Sequence, residues 1–186
     1  MSTRRGFLIS TLAVAAVPVV ARSGMLGTAP VVRVITESIC ADTSSFAQRF
    51  GIGSCVSGGD PAEFLFDLER ELSNNKLDFI FGLTRSSTQF LVEQIAIPHG
   101  YRLTYHGHHR YTDQQLIHTL NGSRKSIDVA AQRLKINTDS WASDLADTVE
   151  VLQSSDKLTQ QYEFKTAREL PSDSSRHLVS WLLKLV

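Results

Sequence analysis

Between residues 31 and 111 the chain alternates short β-branched or aromatic runs with segments whose apolar residues recur every three to four positions. A chain with these two alternating periods places strands in a sheet and covers the sheet with the intervening helices. Val31-Val32-Arg33-Val34-Ile35-Thr36 reads as a first strand. Asp42 is placed to cap a helix to about Phe50, with Phe46, Ala47 and Phe50 on one face and Gly51 and Gly53 at its end. Ile52 to Val56 reads as a weak second strand. Asp60 as N-cap, Pro61 at the first helical position and Glu63 at the third start a helix that continues through Phe64, Leu65, Leu68 and Leu72. Leu77 to Leu83 is the most apolar strand. Ser86 and Gln89 then have the spacing of a capping box, opening a helix with Phe90, Leu91, Val92 and Ile95 inward. Tyr101 to Tyr111 reads as a fourth strand.

Four strands separated by three helices predict an α/β fold with a small, parallel, doubly wound sheet and right-handed crossovers. Strands one and three are continuous apolar runs, as central strands are, whereas strand two is short and strand four alternates, as edges do. The favoured order is therefore 2-1-3-4, with 3-2-1-4 as the alternative. After residue 112 the pattern predicts a mainly helical extension. Leu116, Ile117 and Leu120 precede the stop Asn121-Gly122; Ile127, Ala130, Ala131 and Leu134 form one amphipathic set; Trp141, Leu145, Val149 and Leu152 form another. Gln161 to Lys165 alternates like a short extra strand, and Leu178 to Val186 reads as a very apolar last helix.

Residues 1–21 differ from this body. Arg4-Arg5-Gly6-Phe7-Leu8 precedes an apolar stretch that ends in small residues near Ala21. A basic start, a short apolar core and a small-residue end are the parts of a signal peptide, and the run is shorter than the about 20 residues of a membrane span. The paired arginines followed by Phe-Leu resemble the twin-arginine (Tat) export motif. That resemblance implies passage through the Tat translocase as a folded domain, cleavage near Ala21, a periplasmic location and no stable membrane span afterwards. Residues 22–30 read as a linker, and 31–186 as one α/β domain whose sheet core is 31–112.

The whole chain of 186 residues carries 19 basic and 19 acidic side chains, and cleavage after Ala21 leaves 17 against 19. No basic surplus of the kind that nucleic-acid binders carry is present. Two cysteines exclude a disulfide scaffold and a four-cysteine zinc site. Cys40 and Cys55 are candidates for one disulfide in an oxidising compartment, and Cys40 is alternatively a thiol beside the ligand site.

A doubly wound sheet binds ligands where its strand order reverses. That point predicts a site of Glu37, Ser38, Thr84, Arg85 and Ser86, flanked by Asp60, His106 and His108. Arg85 just ahead of a helix N-terminus suits a carboxylate or phosphate; plain capping by Ser86 is the simpler reading of the same residues. His106 and His108 share a strand face, as zinc or copper ligands do, but Arg102 and Arg110 share it too, so no metal is assigned. Ser86 with His106 or His108 and Asp60 can be drawn as a triad, although no GxSxG elbow selects it. The sequence names no cofactor.

Leu68 to Tyr111 resembles uncharacterised Tat-exported proteins of proteobacteria. The likeness rests on Phe81-Gly82-Leu83-Thr84-Arg85-Ser86, Leu91-Val92-Glu93-Gln94, Gly100-Tyr101-Arg102-Leu103 and His109-Arg110. It implies export and an α/β fold and carries over no catalytic residue. The leading expectation is a non-catalytic periplasmic accessory or small-ligand-binding protein, with a protein partner in the periplasm and no nucleic acid. The alternatives are a small hydrolase-like enzyme acting on an anionic or ester substrate, and a His-rich metal binder.

Overall fold

The computed structural model describes residues 12–18, 31–37, 39–50, 61–74, 77–136, 138–154, 156–169 and 176–186. Their strands are β1 (Leu12–Pro18), β2 (Val31–Glu37), β3 (Phe79–Thr84), β4 (Tyr101–Tyr111), β5 (Gln115–Gly122), β6 (Gln160–Ala167) and β7 (His177–Leu185). Their α-helices are α1 (Ala41–Arg49), α2 (Pro61–Ser73), α3 (Ser86–Ala96), α4 (Arg124–Ile136), α5 (Trp141–Ala146) and α6 (Val149–Leu152). One sheet holds all seven strands in the order β1-β2-β3-β7-β4-β5-β6, six of them from residue 31 onward.

This mixed sheet replaces the expected doubly wound parallel one. Only β2 and β3 run parallel; every other neighbouring pair is antiparallel. Neither expected order survives, because the segment expected to be the last helix is β7, inserted between β3 and β4. Its run Leu178–Leu183 is fully buried on both faces. A strand covered on both sides loses its alternation, and a short apolar run then reads equally well as a buried helix. Strand four is consequently interior, flanked by β7 and β5. The expected helix around Leu116 and Leu120 is β5, paired antiparallel with β4, with Leu116, His118 and Leu120 on one face. The weak second strand at 52–56 lies outside the described residues.

Two apolar clusters lie on opposite faces of the sheet. One joins Phe46 of α1, Ile127 and Leu134 of α4 and Trp141 and Leu145 of α5 to Val32, Val34, Phe81, Leu116, Leu120 and Leu182. The other joins Phe64, Leu68 and Leu72 of α2 and Val92 and Ala96 of α3 to Ile35, Ile80, Val179, Trp181 and Leu183. The inward face of α3 is thus Gln89, Val92 and Ala96, while Phe90 and Leu91 point outward, contrary to expectation. Strand β4 crosses between the clusters. A register shift between Leu103 and Tyr105 puts Tyr101 in the second cluster and Tyr105 and Tyr111 in the first. A bulge adds one residue and reverses which face later side chains meet. Simple alternation therefore misplaces the start of β4 relative to its end. Gly82 of β3 lies under the Trp181 indole, where a Cβ would sit 2.2 Å from a ring carbon. No side chain fits there, so this glycine lets the largest residue of β7 lie flat on the sheet. No described helix is long and apolar enough to cross a membrane.

Candidate functional site

The residues expected at the carboxyl ends of β2 and β3 are brought together, but on one another. Arg85 Nε donates to Glu37 Oε2 at 2.7 Å, its backbone N–H reaches Oε1 at 3.3 Å, and the Thr88 hydroxyl also donates to Oε1. The Glu37 side chain has no exposure and that of Arg85 is 45% exposed. A buried carboxylate thus serves the first turn of α3, where free N–H groups and the helix dipole favour an anion. Arg85 is the N-cap residue, and Ser86 makes no cap hydrogen bond. Gln89 closes no capping box; its amide donates to Glu93 at 2.7 Å. Thr84 is buried, accepts from the Trp181 indole N–H at 3.0 Å and donates to the Arg85 carbonyl. Ser38, Asp60 and Cys55 lie outside the described residues. Cys40 is buried with its Sγ 3.7 Å from Thr43 Oγ1. Asp42 does not cap α1. It is buried, accepts from the Tyr111 hydroxyl at 2.8 Å and pairs with Arg168 at 3.1 Å.

Two histidine groups form on the two faces of β4. On the face of α1 and α5, His109 and His118 are completely buried beneath Trp141. His109 Nδ1 lies 2.8 Å from His118 Nδ1, and His109 Nε2 lies 2.7 Å from Ser180 Oγ. The direction of this chain follows from its end. The single Thr166 hydroxyl proton goes to the Leu116 carbonyl at 3.3 Å, so at 3.5 Å His118 Nε2 must donate to Thr166. His118 Nδ1 is then an acceptor, His109 Nδ1 carries the proton, and His109 Nε2 accepts from Ser180. Tyr105 in turn donates to Ser180 at 3.2 Å. Both imidazoles are neutral in this arrangement. Burial drives the His109 pKa well below its ordinary value, with His118 adding to the effect, and takes His118 to about 3. Ser180, His109 and His118 have the connectivity of a nucleophile, a base and an orienting group. All three are enclosed, however, so no substrate atom can reach the Ser180 hydroxyl in this conformation.

The other face is open. Helices α2 and α3 cover it as far as His106, whose Nε2–H donates to Gln89 Oε1 at 3.0 Å. The His106 and His108 rings meet edge to face at 4.3 Å, and His108 Nδ1 lies 3.1 Å from His177 Nε2. Register sets the next neighbours: Arg110 lies opposite His177 and Ile117, and Thr119 lies opposite His108 and Glu163. Together with Gln161 these residues line a groove of about 360 Å³. Burial, then His108 and His177, lower the His106 pKa to about 4. Burial also lowers His108 and His177, helped by His177 in the first case and by the Arg110 guanidinium in the second. The groove's lining therefore presents neutral rings at pH 7 beside the Arg110 guanidinium and the Glu163 carboxylate, and Lys165 stands on the same face opposite Ile117. Among the described residues no three His, Cys, Asp or Glu side chains converge as a metal site. His106 and His108 were legible in the sequence as a shared face. His177, Glu163 and Thr119 were not, because only strand pairing brings them there. No protein-family model, curated protein or solved structure matches this chain.

Proposed function

We propose that this chain is an exported periplasmic binding or accessory protein that holds a small polar ligand on the open face of its sheet. The observation that carries the reading is the groove over β4, β5, β6 and β7, where charged, hydrogen-bonding and neutral aromatic groups converge on an uncovered surface. Small-molecule sites are concavities with a few polar groups set among less polar walls, and 360 Å³ falls within their usual range. The Tat-like start at Arg4-Arg5 supports export of the folded domain. Cleavage near Ala21 would remove β1 and leave β2 outermost, at the sheet edge opposite the groove. The enclosed Ser180–His109–His118 chain favours a binding role over a covalent one.

Two experiments test this. A thermal-shift screen of small polar compounds on the full chain should find at least one that raises the midpoint. A ligand at 100 times its Kd adds about 2.7 kcal/mol, or several degrees in a domain of this size. The shift should vanish in Arg110→Ala; a shift unchanged in that variant places the ligand elsewhere. Export is tested by fractionating cells that express the chain. Arg4→Lys with Arg5→Lys should hold it in the cytoplasm, and undiminished periplasmic accumulation of that variant would refute the Tat route.

A further inference from the structure

We infer that the ligand of the open-face groove carries both a carboxylate and an ammonium group, as a free α-amino acid does. The inference rests on the small-ligand reading above and goes on to name its chemical class.

Arg110 and Glu163 line the same groove, and among the described residues neither belongs to an ion pair. Glu163 accepts one hydrogen bond, from Thr119 at 3.2 Å. Register explains why they do not meet. Arg110 on β4 faces Ile117, and Glu163 on β6 faces Thr119, so they stand two strands apart and are offset by two residues. With strands about 4.8 Å apart and a rise of about 3.4 Å per residue, their Cα atoms are about 12 Å apart. The α-carboxylate and α-ammonium of an amino acid, each with one hydrogen bond of about 2.8 Å, span about 8–9 Å between protein donor and acceptor. The Arg110 and Glu163 side chains, which both line the groove, are long enough to cover the remainder.

Among the residues that line the groove, the charge balance favours a zwitterion over a ligand of one sign. An anion that satisfies Arg110 meets the Glu163 carboxylate, and a cation that satisfies Glu163 meets the Arg110 guanidinium. A zwitterion satisfies both. Among the lining residues His108 and His177 add no charge, since they are neutral at pH 7 and offer ring faces and N–H donors; Lys165, opposite Ile117 on β6, lies on the same face beside Glu163 but outside the lining. Buried Ile117 supplies an apolar floor between the two charges.

Equilibrium dialysis or calorimetry of the full, untagged chain at pH 7.5 against the twenty free L-amino acids tests this. At least one should bind. Its N-acetyl and its carboxamide derivatives, which each lack one charge, should bind at least tenfold more weakly. Arg110→Gln and Glu163→Gln should each weaken the free amino acid by a similar factor. The N-acetyl derivative should lose little further affinity in Glu163→Gln, because the group it fails to satisfy is gone. The derivative series on the unaltered protein decides the matter even if a variant folds poorly. Equal binding of a single-charge derivative, or no binding by any amino acid, overturns the inference. A parallel panel of dicarboxylates and inorganic phosphate separates the two levels. Binding there that needs Arg110 and not Glu163 leaves the small-ligand reading standing without the zwitterion, whereas no binding in either panel counts against both.

Discussion

The buried His109–His118 pair makes this fold sensitive to acid in a way that can be calculated and then removed by design. In the folded chain both imidazoles are neutral and fully buried, with His118 at about 3 and His109 well below its ordinary value. In the unfolded chain each titrates near 6.5. Because the folded pKa values are depressed, the unfolded state binds protons first as the pH falls. The pair's contribution is intact above about pH 7 and is lost progressively below 6.5. Each group changes stability by roughly 1 kcal/mol or a little more per pH unit once the unfolded histidine is fully protonated, so the pair accounts for at most about 3 kcal/mol per unit. Between pH 6.5 and 4.5 that sums to about 5 kcal/mol, comparable with the whole stability of a typical domain. Glutamine at both positions keeps one polar donor–acceptor side chain of similar size at each site, and neither titrates. Urea unfolding from pH 7.5 to 4.5 measures the slope. The His109→Gln/His118→Gln variant should lose about two protons' worth of slope in this window, whatever its stability at pH 7.5. A slope identical to that of the unaltered protein would refute the neutral, buried assignment.

Further outcomes follow from the same geometry. Glu37→Ala should cost about 2–4 kcal/mol in urea unfolding, since it leaves Arg85 and the first turn of α3 without their buried acceptor; a loss below about 0.5 kcal/mol would show that the pair is not structural. Gly82→Ala should destabilise by at least about 1–3 kcal/mol, because the new methyl group meets the Trp181 ring. A wild-type midpoint in that variant would mean that Trp181 does not lie on β3.

Local chemistry made several elements readable. Proline at the first position and Glu63 mark the start of α2, and a spacing of three to four places Phe64, Leu68 and Leu72 on its buried face. Strand β6 announced itself by alternation, and α4 by Ile127, Ala130, Ala131 and Leu134. The nearness of Glu37 and Arg85 was also legible, because parallel neighbours bring their carboxyl ends together. That they satisfy each other was not, since a side-chain pair depends on burial that no spacing encodes.

By itself the sequence determined the α2 and α3 helices, the span of β4 and the clustering of His106 and His108 on one face. These depend on residues close in the chain, whose caps, periods and turn signals act over a few positions. The tertiary structure alone decided that Leu178–Leu183 is the middle strand of the sheet, because a run buried on both faces carries no period of its own. It decided, through the shift after Leu103, which face each part of β4 presents. It also brought His177 and Glu163 to the groove and set His109 between His118 and Ser180. Those neighbours are joined by hydrogen bonds between strands distant in the chain, and the free energy that selects one such pairing over another belongs to the assembled core.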